Sequence, residues 1–90
     1  MKSKEFSFTF VIKEDSRRPE DWLNALYEAG GADTTARVSN GVHLVSFDRE
    51  ANSLEEAIRS AWETLRAAGL QPIRCEIEDE TLAEAFALAG

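Results

Sequence analysis

Along residues 5–13, Phe6, Phe8, Phe10 and Ile12 alternate with Ser7, Thr9 and Val11. A period of two in aromatic and β-branched residues belongs to a strand with one face against an apolar layer. A chain of 90 residues cannot leave three phenylalanines in one row wet. The strand must therefore lie in a sheet that is covered on that side, and the rest of the chain has to supply both the cover and the neighbouring strands.

The next stretch supplies the first cover. Pro19 suits a first helical position, and Glu20 and Asp21 suit the positive end of a helix dipole. Trp22, Leu23, Leu26, Tyr27 and Ala29 form a helical stripe that Gly30-Gly31 ends. Residues 33–39 read as a weak strand and residues 42–48 as a stronger one. Asn40-Gly41 between them is a hairpin signal, because a type I′ turn needs positive φ at both central positions. The two-residue loop sets the register and puts Ala36, Val38, His43, Val45 and Phe47 on one face, which should join the phenylalanines. Ser53-Leu-Glu-Glu56 is a capping box that opens a helix to about Ala68, with Leu54, Ala57, Ile58, Ala61, Leu65 and Ala68 as its apolar stripe. Residues 72–78 alternate again, with Ile73, Cys75 and Ile77 inward. Thr81-Leu-Ala-Glu84 reads as a second capping box, opening a short helix from Leu82 to Ala89.

The order is strand, helix, strand, strand, helix, strand, helix. Its first six elements are the split pattern of a ferredoxin-like βαββαβ two-layer sandwich, an α+β fold, here with an extra short C-terminal helix. Right-handed crossovers predict an antiparallel sheet with strands in the order 4-1-3-2 and two helices on one face. Residues 1–79 would form the domain and residues 80–90 a helical appendage.

Composition narrows the chemistry. Seventeen acidic residues against ten basic give a net charge of −7, which argues against nucleic-acid binding by this chain alone. No apolar run approaches a membrane span, and no signal-peptide core follows the N-terminus, so a cytoplasmic location is expected. One cysteine excludes an internal disulfide and any multi-thiolate metal site. Cys75, between two isoleucines, reads as a small buried hydrophobe, and His43, on the inward face, as a packing residue. The acidic stretch Glu76, Glu78, Asp79, Glu80 and Glu84 lacks the spacing of a calcium loop. Asp48-Arg49-Glu50 reads as a charged loop suited to a salt bridge. No nucleophile–base pair, metal set or cofactor motif can be assembled, so the expected protein is not an enzyme and carries no cofactor.

What remains is the outer face of the sheet. The register gives it Ser7, Thr9, Ser46, Arg37, Arg74 and Glu76 around an apolar centre at Val11, Val42 and Leu44. Such a face is usually covered. The C-terminal helix, with Leu82 and Phe86 in its apolar stripe, can supply that cover, and so can a second copy of the chain or another protein. Val11, Val42, Leu44, Leu82 and Phe86 are therefore the candidate interaction residues, and a homodimer is expected.

Two stretches, Leu23-Asn-Ala-Leu-Tyr-Glu-Ala-Gly-Gly-Ala-Asp-Thr-Thr35 and Phe47-Asp-Arg-Glu-Ala-Asn-Ser-Leu-Glu-Glu-Ala-Ile-Arg-Ser-Ala61, resemble a family of small bacterial proteins. Members carry an "EAG-x-D" turn and an "FDREA…EAI-x-SA" segment, and many continue into a helix-turn-helix as DNA-binding or antitoxin-like regulators. The resemblance covers about residues 5–80. It implies a regulatory, self-associating module. Residues 81–90 look like the start of a helix-turn-helix without the recognition helix that would enter the major groove. The alternative is a small-molecule sensor that binds its ligand at the sheet face or between protomers.

Overall fold

The computed structural model describes residues 4–14 and 16–89, without the side chains of Pro19, Glu84 and residues 86–89. The elements are β1 (Lys4–Ile12), α1 (Pro19–Glu28), β2 (Thr34–Ser39), β3 (Val42–Ala51), α2 (Leu54–Ala67), β4 (Pro72–Glu76) and α3 (Asp79–Ala89). The four strands form one antiparallel sheet in the order β2-β3-β1-β4. It is an α+β arrangement in which helices and sheet form two layers.

The alternation in β1 places Phe6, Phe8, Phe10 and Ile12 in the core together with Val45 and Phe47 of β3. Phe8 stacks on Phe47 at 5.8 Å, and Phe10 meets Phe47 edge to face at 5.9 Å. Such pairs add about 0.5–1.5 kcal/mol each beyond area burial. Trp22 and Leu26 of α1 and Ala57, Ala61 and Leu65 of α2 join the same cluster, so both helices cover one face of the sheet. The small residues of α2 let that helix approach the phenylalanine layer closely. Ser53 caps it as expected, its hydroxyl accepting from the Glu56 amide at 3.2 Å.

Helix α1 stops by a specific device. Gly30 has φ +95°, and the amides of Gly30 and Gly31 donate to the carbonyls of Tyr27 and Leu26. Gly31 is needed for space rather than for its dihedral. A Cβ there would lie 2.8 Å from the Leu26 carbonyl oxygen and 3.1 Å from Cγ2 of Thr64. The pair of glycines thus turns the chain and lets it pass against α2. The hairpin turn is also as expected, with φ +51° at Asn40 and +76° at Gly41.

Several expectations are corrected. Residues 48–50 are not a loop but the continuation of β3, which pairs with β1 as far as Lys4 opposite Ala51. Strand β4 ends at Glu76, and Ile73 is 61% exposed rather than inward. The register between β1 and β4 jumps from Val11–Arg74 to Ile12–Pro72, so Ile73 is the extra residue of a bulge and is turned out of the alternation. Cys75 and Ile77 still pack on the core. Val38, placed inward by the hairpin register, is 46% exposed because it lies on the edge strand near the hairpin tip. In α1 only Trp22 and Leu26 are fully buried, while Leu23 and Tyr27 face out. A single i,i+4 stripe is all that a helix of this length needs to sit on the sheet.

Helix α3 begins at Asp79, earlier than the expected Leu82, so Thr81 lies inside it and is not a cap. Its hydroxyl donates instead to the Ser7 carbonyl at 3.2 Å. β4 pairs only with Thr9–Ile12, and α3 takes over the edge of β1 that β4 leaves bare. Ala85 packs on the main core, so α3 leans toward the helical layer and not over Val42 and Leu44.

Arg49 ties these parts together. It follows Phe47 by two residues and shares its inward face. Its Nε and Nη2 donate to the two carboxylate oxygens of Asp33 at 2.9 and 2.8 Å. Nη1 reaches the hydroxyls of Thr64 at 3.1 Å and Ser60 at 3.4 Å, and Nη2 also reaches the Gly30 carbonyl at 3.3 Å. The guanidinium lies 5.0 Å from the Phe47 ring centre. All five guanidinium N–H groups have acceptors, and the side chain is only 11% exposed.

Two expected outcomes follow from this packing. Phe8→Ala should lower stability by about 3–5 kcal/mol in urea titration, whereas Ile73→Ala at the bulge should stay within about 0.5 kcal/mol. Arg49→Lys keeps the charge but loses the fork, and should cost about 2 kcal/mol. Combined with Asp33→Asn, it should cost less than the two single changes together, since both break one interaction.

Candidate functional site

The face of the sheet that α1 and α2 do not cover is built in rows, because antiparallel pairing sets residues of neighbouring strands side by side. One row holds Glu5 opposite Glu50 and the next Ser7 opposite Asp48. A third runs Thr35, Ser46, Thr9, Glu76, and a fourth Arg37, Leu44, Val11, Arg74. Ser39 and Val42 follow toward the hairpin tip.

The rows are locally well bonded. Ser7 donates to Oδ1 of Asp48 at 2.6 Å, and the hydroxyls of Thr9 and Ser46 lie 3.0 Å apart. Arg74 meets Glu76 at 3.1 Å in an exposed pair, which contributes little stability. Around the hydroxyls lies a cleft of about 220 Å³ that also takes in Asp48, Glu76 and Glu78. It can accept hydrogen bonds and attract positive charge. Among the described residues, no cluster of His, Cys, Asp and Glu has the geometry of a metal site.

The candidate interaction residues are separated by the structure. Val11 and Leu44 are direct cross-strand neighbours, with Val42 in the adjoining row. Val11 is only 6% exposed. It sits between Leu44 and Arg74, so the apolar centre is partly closed by its own neighbours. Val42 is 41% exposed. Leu82 is half-buried on α3 and belongs to the other end of β1. The Phe86 side chain, and that of Glu84 in the expected capping box, lie outside the described residues. A larger apolar groove of about 710 Å³ runs along α2, lined by Leu54, Ile58, Trp62 and Ala85 among others. Sequence reasoning missed it. Trp62 is the signal that could have found it, since it continues the Leu54 and Ile58 spacing by one more turn and is itself exposed.

Arg49 was legible only as a salt-bridge former, and Asp33 was not singled out. The available signal was parity: Val45, Phe47 and Arg49 share one face of a strand, so the arginine had to find buried acceptors. His43 packs against Trp22 with ring centres 4.3 Å apart. Trp22 is fully buried, and its indole N–H has no hydrogen-bond partner among the described residues.

Burial, assisted by the Glu76 carboxylate beside it, pushes the Cys75 thiol up to about 11. The thiolate is thereby suppressed at neutral pH. The sign for folding is that of a group holding its proton longer in the native state. Its contribution is complete below about pH 9 and is lost as the pH rises through about 11. Cys75 should react with a disulfide reagent at pH 8 at least about tenfold more slowly in the folded chain than in urea, read as thionitrobenzoate absorbance against time.

No protein-family model matches the chain, and no curated protein or solved structure is significantly similar to it.

Proposed function

We propose that the chain is a ferredoxin-like regulatory or interaction module, not an enzyme, and that it self-associates through the uncovered face of its sheet. The observation that carries this reading is the one-sided sheet. α1 and α2 lie on one side, α3 leans toward the same layer at the edge of β1, and on the opposite side ordered polar and apolar rows have no covering element among the described residues. Read from the β4 edge, the strand order is 4-1-3-2, which supports the ferredoxin-like description.

The residues best suited to covalent or acid–base chemistry are spent on packing. Cys75 has its thiolate suppressed, and His43 lies against Trp22. The resemblance of the segments around Glu28 and Phe47 to small bacterial regulators agrees with a regulatory module, and the net charge of −7 disfavours direct contact with nucleic acid. Among the described residues, no helix is long and apolar enough to cross a membrane, and we place the chain in the cytoplasm. A ligand-sensing role at the sheet face is less well supported. The cleft there, about 220 Å³, is below the roughly 300–1,000 Å³ of ordinary small-molecule pockets.

Light scattering coupled to size exclusion should return a particle of twice the 10.0 kDa chain mass. A mass of one chain at every concentration tested would refute self-association.

A further inference from the structure

The uncovered face has a polarity that no single copy satisfies. At one end Glu5 and Glu50 stand directly opposite each other on adjacent strands. Like charges in that relation repel across a Cβ separation of only about 5 Å. Asp48 follows in the next row, and Glu78 lies beside it at the rim of the cleft. At the other end Arg37 and Arg74 flank Leu44 and Val11, and Lys13 continues beyond β1. Among the described residues, Glu5, Glu50, Glu78 and Arg37 make no ion pair. The two ends are four to six residues apart along the strands, roughly 13–20 Å at about 3.3 Å per residue. That is too far for the arginines to reach the acidic end of their own sheet.

Resting on the self-association reading, we propose that two copies pack sheet on sheet about a two-fold axis that lies in the sheet plane, perpendicular to the strands, along the Thr9–Ser46 row. This rotation keeps each strand over its counterpart and reverses its direction. The row of Ser7 and Asp48 then faces the partner's row of Leu44 and Val11. Glu78 meets the partner's Arg74, and Asp48 lies near the partner's Arg37. The Glu5–Glu50 row faces the partner's Lys13.

The chemistry of the rows selects the axis. A group on a two-fold axis faces its own copy, so it must be apolar or able both to donate and to accept. Thr35, Ser46 and Thr9 are hydroxyls and meet that condition. A charged member is tolerated only at the rim, where Glu76 is already held by Arg74. An axis one row further along would set Arg37 and Arg74 against themselves, and one row back would do the same to Asp48. An axis parallel to the strands would lay acidic end on acidic end. The occupant is therefore a second copy of this chain and not a generally basic protein, which would repel the Arg74 end and leave Arg37 uncompensated. The face measures roughly 19 Å across four strands and 27 Å along them. Two copies together would bury on the order of 1,000 Å², about the minimum for a biological interface and the size of a weak, reversible one.

A charge exchange tests the geometry. One variant carries Arg37→Glu and Arg74→Glu, and the other Asp48→Arg and Glu78→Arg, with circular dichroism confirming that each folds. By sedimentation equilibrium, each variant alone should dimerise at least about 100-fold more weakly than the wild-type chain, because like charges meet at both ends. An equimolar mixture should recover dimers within about tenfold of wild type, since the mixed pair restores opposite charges at both ends. The wild-type dimer should also weaken as salt rises from ~0.05 to ~0.5 M. A wild-type chain that never dimerises would overturn the self-association reading itself. A wild-type dimer whose two variants still self-associate at full strength, or whose mixture fails to recover, would leave that reading standing and overturn this geometry.

Discussion

The fold is held in register by one guanidinium. Arg49 is the only charged side chain on the inward face of β3 beyond Phe47, and it reaches two separate segments: the turn after α1 through Gly30 and Asp33, and two successive turns of α2 through Ser60 and Thr64. Burying a charge is tolerable only when its hydrogen-bonding capacity is filled. Here each donor has an acceptor, so the arginine acts as a gauge for the spacing of helix, turn and strand. Gly31 belongs to the same device. Any side chain there would push the turn away from Thr64, and with it the Asp33 carboxylate away from the guanidinium.

That constraint has a consequence for the opposite face. The backbone that presents Arg49 inward presents Asp48 and Glu50 outward on either side of it. Fixing the arginine fixes the acidic end of the uncovered face. Likewise the phenylalanine row that holds β1 under the helices places Ser7, Thr9 and Val11 at regular intervals on the outside. The core is thus what gives the surface its ordered rows. The surface residues need not contribute much stability to be precisely placed.

Much of this was legible in the sequence, for identifiable reasons. Period-two alternation in β1, the Asn40-Gly41 turn and the Ser53 cap are local signals, and local chemistry decided them. The failures came where a neighbour overrode the local pattern. Ile73 alternates correctly in sequence, but a bulge against Ile12 turns it out. Thr81 has the spacing of a cap, yet its hydroxyl is used on the Ser7 carbonyl that β4 leaves bare, so the helix begins earlier. Asp48-Arg49-Glu50 looks like a loop because it is charged. Only the long partner strand β1, running as far back as Lys4, keeps it extended. The outer face was legible in part, since the hairpin register and strand order place Arg37, Arg74 and Glu76 on it. Its acidic end was not, because Asp48 and Glu50 read as loop and not as strand opposite Ser7 and Glu5.

The position of β1 in the sheet also sets an order of events. It is the first strand in the chain but lies between β3 and β4, whose residues begin at Val42 and Pro72. Among the described residues, the only pairing between strands adjacent in sequence is the β2–β3 hairpin, which closes with little loss of chain entropy. Both strand pairings of β1 wait for long loops to close. During synthesis the most apolar strand is made first and gains its second neighbour last. A strand with three phenylalanines and two open edges is a site for unwanted pairing until then. Lys4 and Glu5 at its start and Lys13 and Glu14 just past its end put charge at both ends of that segment, and so guard the growing chain as well as the finished one.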